Sequence, residues 1–115
     1  MWNVVALLAG LYALLALAGC MTYRMALFPA PHGPAPAAPP GATLRELRAD
    51  DAVPVLAIHF PAPPGARTIV HFHGNGETVQ NVLPFGQALA ARGIGVLLVE
   101  YRGYGPSTES PTEQG

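Results

Sequence analysis

Lysine is absent from the 115 residues, cysteine occurs once, serine twice, and charged side chains make up only 11% of the chain. The six basic residues are all arginine, form no run, and leave a net charge of −1. Binding to nucleic acid needs clustered cations that displace counterions from phosphate, so that class of partner is excluded. The lone Cys20 rules out an internal disulfide and any zinc site built on paired cysteines. The length suits about one small domain. Part of it is not domain, because no charged side chain precedes Arg24.

The run from Val4 to Gly19 is apolar on every side, which an amphipathic surface helix never is. A bilayer span needs about 20 apolar residues, so this segment lies near the minimum for a membrane helix and beyond a typical signal-peptide core. Its end, Leu17-Ala18-Gly19-Cys20, resembles the bacterial lipobox, whose cysteine becomes the lipid-modified mature N-terminus. Signal peptides usually open with Lys or Arg, and here only the α-amino group precedes the apolar run. Residues 1–20 are therefore read as a signal peptide or an uncleaved anchor, with Cys20 as the lipidation site under the first reading. Both lead to membrane lipid, and the lipobox reading leads to a bacterial cell envelope.

Six prolines fall between Pro29 and Pro40. They remove backbone donors and favour extended, polyproline-like chain, so residues 21–42 are read as a spacer, with a path along the domain surface as the alternative. The rest, 43–115, has the pattern of an α/β domain. Thr43–Arg48 and Val53–Phe60 are rich in β-formers around the turn residues Ala49-Asp50-Asp51, which predicts an antiparallel hairpin. Thr68–His73 reads as a strand. Val79, Val82, Leu83 and Leu89 recur near helical spacing up to Arg92, with Pro84 in the first turn or at a kink and Gly93 as the C-terminal cap. Ile94–Glu100 is a nearly continuous apolar run, as in a parallel strand covered on both faces. Strand, helix and strand form one βαβ unit.

His73-Gly74-Asn75-Gly76 lies where the first strand of that unit ends, the place where open α/β sheets put their ligand loops. Glycines at 74 and 76 permit torsions that turn main-chain N–H groups toward a bound oxygen. Such donors stabilise the oxyanion of acyl transfer, and the Asn75 N–H is the first candidate, the Gly76 N–H the second. The glycines also imitate a nucleotide loop, but the third glycine of the dinucleotide fingerprint and the Gly-Lys-Ser/Thr ending of a phosphate loop are both missing. His71 and His73 share a strand face, yet no third ligand accompanies them, so no metal and no cofactor is assigned.

His73-Gly74-Asn75-Gly76 followed, some twenty residues on, by Val99-Glu100-Tyr101-Arg102-Gly103-Tyr104-Gly105-Pro106-Ser107 resembles the α/β-hydrolase superfamily, and within it the membrane-anchored, serine-aminopeptidase-like branch. The resemblance runs from Thr43 to Gly115. It implies that the first loop follows strand three and the second follows strand four, that His73 and Gly74 shape the oxyanion loop, and that a fifth strand pairs beside strand three. Glu100 stands where Asp is usual, and Glu109 where Gly usually follows the serine, which bears on the tight turn there.

That family places its nucleophile in Gly-x-Ser-x-Gly, then an Asp or Glu, then a His. Gly105-Pro106-Ser107-Thr108-Glu109 lacks the second glycine, and all four histidines precede both serines. The triad is thus missing, and Ser107 is read as a loop residue. The chain is expected to be an N-terminal fragment of a membrane-associated serine hydrolase acting on an ester, thioester or amide, inactive alone, with an acyl or peptide substrate in the parent protein. The alternative is a small membrane-tethered lipoprotein whose hydrolase-like part is a non-catalytic binding module. Either way the unpaired third strand invites aggregation and a marginally stable domain.

Overall fold

The structure, a computed structural model, describes residues 2–112. It opens with helix α1 (Trp2–Leu27), of which no residue is buried. The helix runs unbroken through Cys20 and is long and apolar enough to cross a membrane. Extended chain then leads to a four-stranded mixed sheet of β1 (Thr43–Arg48), β2 (Pro54–Phe60), β3 (Thr68–Phe72) and β4 (Gly95–Val99), with helix α2 (Val79–Ala90) between the last two.

The strand order is β1-β2-β4-β3. β1 and β2 form the expected hairpin, antiparallel from Thr43 opposite His59 to Arg48 opposite Pro54. β2 runs antiparallel to β4, and β3 parallel to it, with Thr68 opposite Gly95 and Phe72 opposite Val99. β4 is therefore central and almost wholly buried, as its continuous apolar run requires. β3 is an edge strand, and Ile69, Val70 and Phe72 are exposed along it.

α2 lies across β4 and β2. Ile58, Phe60, Val79, Val96 and Leu98 make the core, with Val82, Leu83 and Leu89 packed against it. Gly86 lets the helix approach this closely, since a Cβ there would stand 3.0 Å from both Leu98 and Phe60. Pro84 lies inside α2, in its second turn, so of the two placements expected for it the first turn is not the one taken. The helix ends as the pattern required: Gly93 has φ 76, its N–H donates to Ala90 (2.9 Å), and the Ile94 N–H donates to Leu89 (3.2 Å). That pair of bonds closes a helix on a left-handed residue, a place for glycine.

The proline-rich stretch does not stand clear of the sheet. Its backbone pairs with the loop after β4, the Gly105 N–H donating to Pro31 (2.8 Å) and the Gly33 N–H to Gly105 (3.1 Å).

Candidate functional site

Parallel β3 and β4 end side by side, so the loops that follow them meet. His73 is the first residue past β3, Glu100 the first past β4, and both side chains are completely excluded from solvent. Their pairing at 2.5 Å, His73 Nε2–H donating to Glu100 Oε1, joins the two loops at the root. His73 Nδ1 faces the Gly74 carbonyl at 3.0 Å, so each ring nitrogen points at an acceptor. No ring nitrogen is left to take a proton from a nucleophile.

Glu100 holds more than the histidine. Oε2 accepts the Val79 N–H (3.1 Å), one of the donors left without a partner at the start of α2, and Oε1 also accepts the Tyr101 N–H (3.3 Å). A carboxylate there is favoured by the helix dipole as well. One buried side chain thus ties together the loop after β3, the first turn of α2 and the end of β4. Asn81 completes the cap, its Oδ1 accepting the Thr78 N–H (2.8 Å) and hydroxyl (3.1 Å).

Between these anchors Gly74–Glu77 forms a turn closed by Glu77 N–H to the Gly74 carbonyl (3.1 Å), with Gly76 at φ 79. Only Gly76 needs the left-handed region. Gly74, contrary to the torsional freedom expected of it, has no positive φ; a Cβ there would meet Glu77 Oε2 at 3.1 Å, because that carboxylate accepts the Gly74 N–H (2.9 Å). Glycine at 74 serves close approach instead.

The Asn75 side chain is clipped at both ends. Its Oδ1 accepts the Tyr104 hydroxyl (2.9 Å), and its Nδ2 donates to the Leu27 carbonyl (2.9 Å) in the last turn of α1. The Leu27 carbonyl can only accept, which fixes the amide with Nδ2 toward it and leaves Oδ1 for the Tyr104 hydroxyl. Among the described residues the main-chain N–H of Asn75 donates to none. The Gly76 N–H, by contrast, faces the Tyr104 phenol. Burial pushes the Tyr104 pKa above its ordinary value, and the Gly76 N–H works against that rise. Tyr101 and Tyr104 pack on the His73 ring, with centroids at 4.7 and 5.6 Å.

The remaining candidates lie elsewhere. Ser107 Oγ is buried without a hydrogen bond among the described residues, and its N–H donates to the Tyr104 carbonyl (2.9 Å). No imidazole bonds to it. His71 rests its ring on Phe85 (4.8 Å), and no cluster of three metal-ligating side chains occurs among the described residues. Cys20 is exposed on α1. Glu109, at the place of a family glycine, takes φ 71, and the Gly103 N–H donates to the Thr108 carbonyl (3.0 Å). The tight turn therefore forms even with glutamate there. Sequence reasoning missed the bracket at Glu100 and the Tyr104–Asn75 clip.

No family model matches the chain. It is 35% identical over 74 residues to Protein bem46 of Schizosaccharomyces pombe, an alignment covering 61% of this chain and 25% of that protein. The chain thus spans about a quarter of the length of this curated relative. Among solved structures, that of a probable hydrolytic enzyme from Pseudomonas aeruginosa PAO1 superposes with a TM-score of 0.48 at 21% identity, covering 75% of this chain and 29% of the other. The chain is thus similar in sequence to Protein bem46 over 74 residues, and its apolar N-terminal helix followed by a mixed four-stranded sheet has the form of an α/β-hydrolase-like partial fold.

Proposed function

We propose that the chain carries the oxyanion-hole loop of a membrane-associated serine hydrolase that cleaves an ester, thioester or amide. The Asn75 N–H is the principal donor. The observation that carries this reading is the asymmetry of the loop: the Asn75 side chain is held at both ends while its main-chain N–H bonds to nothing among the described residues. A donor fixed in place before the reaction needs no reorganisation as charge develops, and one such donor is typically worth about 10²–10³ in rate. The Gly76 N–H is the second donor, available once the Tyr104 phenol yields it. His73 and Gly74 shape the loop, His73 through its buried contact with Glu100.

The family's nucleophile, acid and base have no counterpart in family order among these 115 residues. Turnover thus belongs to a protein that includes them. Membrane association is assigned to α1, with Cys20 as the lipidation site if the leader is cleaved before it.

The reading is tested on the ¹⁵N-labelled chain titrated with an alkylphosphonate monoester, a stable mimic of the tetrahedral oxyanion. The Asn75 amide resonance is expected to move most, and Asn75→Pro, which removes that N–H, to abolish the response. Shifts spread evenly over the surface, or an unchanged response in the variant, would sink it. Labelling of Ser107 by a fluorophosphonate probe would overturn the separate claim that the chain lacks a nucleophile.

One observation favours a second reading, a membrane-tethered binding module: among the described residues β3 pairs on one side only, and it exposes Val70 and Phe72. A partner strand covering that edge is its distinguishing expectation, readable as protection of the β3 amides from hydrogen exchange when the partner is present.

A further inference from the structure

We infer that the carboxyl end of the sheet, with the loop at Asn75, lies directly against the headgroup layer of a lipid bilayer, so that the candidate site opens at the membrane surface and is not held away from it by the proline-rich segment. This rests on the reading of α1 as a membrane helix and adds to it a second contact, made by the domain.

The dimensions of α1 carry the argument. At about 1.5 Å per residue, Trp2 and Tyr23 stand about 32 Å apart along the helix, close to the roughly 30 Å hydrocarbon thickness of a bilayer. Both rings are exposed, and aromatic side chains at the two ends of an apolar span are the usual markers of the two interfaces. Arg24, the first charge of the chain, follows directly. Leu27 is then only about 5 Å further along the axis. The headgroup layer is itself about 5–7 Å deep on each side.

Leu27 is where the domain is attached. Its carbonyl accepts the Asn75 amide, the Arg24 guanidinium donates to the Pro111 carbonyl (3.1 Å), and Pro29 lies against Gly76, 3.5 Å from where a Cβ would be. These contacts come from both loops at the carboxyl end of the β3–β4 pair. The segment that composition suggests as a spacer folds back instead, pairing with Gly105 at the same end. With so little chain between the span and the loop, the loop has no room to leave the surface. The same end exposes Phe72 and Tyr101, stacked with centroids 6.0 Å apart, an apolar pair suited to the acyl and headgroup boundary.

The turn Ala62–Arg67 lies at the other end of β3, whose five residues at about 3.3 Å each put about 16 Å between the two ends. This difference supplies the test. The full chain with Cys20→Ser is reconstituted into phosphatidylcholine and phosphatidylglycerol vesicles, and a nitroxide is placed by Ser110→Cys or by Ala66→Cys, both exposed surface positions. Flotation of the vesicles comes first, then collision of each label with lipid-dissolved oxygen and with a water-soluble nickel chelate. The expected result is several-fold lower nickel accessibility and higher oxygen accessibility at 110 than at 66. A chain that floats while both labels are equally open to nickel, or while position 66 is the shielded one, overturns the inference and leaves the membrane helix standing. A chain that does not float overturns both.

Discussion

Glu100 and His73 illustrate how much one pair of residues decides. Two ionisable side chains wholly out of solvent lose their hydration, and the loss is tolerable only when each polar atom finds a partner. Here Glu100 accepts from His73, Val79 and Tyr101 at once. Removing the charge leaves His73 facing a weaker and partly mismatched amide, and breaking a buried pair of this kind typically costs about 3–5 kcal/mol. Glu100→Gln is therefore expected to destabilise the domain by at least the lower part of that range in urea unfolding. The Gly74 and Glu77–Val79 amides should lose exchange protection before those of β2, and uniform loss across the sheet would contradict the bracket. Tyr104 gives a residue-scale pH dependence. Burial raises its pKa above the usual 10.0, so the folded state holds the phenolic proton more tightly than the unfolded state does. The associated stability is present below pH 10, and it is lost as pH rises from there through the folded pKa. The phenolate can no longer donate to Asn75. An alkaline loss of stability that disappears in Tyr104→Phe is the expected outcome, measured by unfolding between about pH 8 and 11, the window around the ordinary tyrosine value.

Among the elements, the turn after β4 combines a rule kept with a rule broken. Gly103 and Gly105 take positive φ, and added Cβ atoms would stand 2.6 Å from Pro111 and Glu100 respectively. Glu109 takes φ 71 without being glycine. A left-handed conformation costs an ordinary residue about 1–2 kcal/mol, and glycine's greater freedom in the unfolded chain returns about half of that. Glu109→Gly is expected to stabilise the domain by about 0.5–1 kcal/mol, read as a shift in the urea midpoint at unchanged slope. Destabilisation would mean that the attraction between Glu109 and Arg102 outweighs the strain. The glycines and the apolar period made this stretch legible in the sequence, as they did α2, β4 and the hairpin, because local torsion and alternation leave marks on neighbouring residues. Glu100 left a readable mark too. A lone acid closing a buried apolar strand needs a partner, and the imidazole that closes the adjacent strand is the natural one. The Asn75 contacts left none: Tyr104 and Leu27 are brought to it by packing over 29 and 48 residues of chain, and no local pattern encodes that. Composition likewise told that Pro29–Pro40 is extended, but not that its backbone would lie on Gly105.

For the whole molecule the decisive asymmetry is in the sheet. β4 is paired on both sides and covered by α2, whereas among the described residues β3 pairs along one edge only and leaves one face bare. Alternation along β3 puts His71 toward α2, where it meets Phe85, and leaves Val70 and Phe72 on the opposite face. Their exposures of 53% and 55% are high for apolar side chains beside unpaired backbone donors and acceptors, the combination that templates pairing with another chain. The core under α2 is small as well, so local opening of β3 is inexpensive, and the tendency to associate should act on the folded and the partly opened chain alike. A lysine at the centre of the bare face would repel a second copy without touching the core. Val70→Lys is accordingly expected to raise the monomeric fraction of the detergent-solubilised chain in sedimentation velocity, with little change in its unfolding midpoint. If association is unchanged while α1 is kept in detergent, the edge strand is not its route.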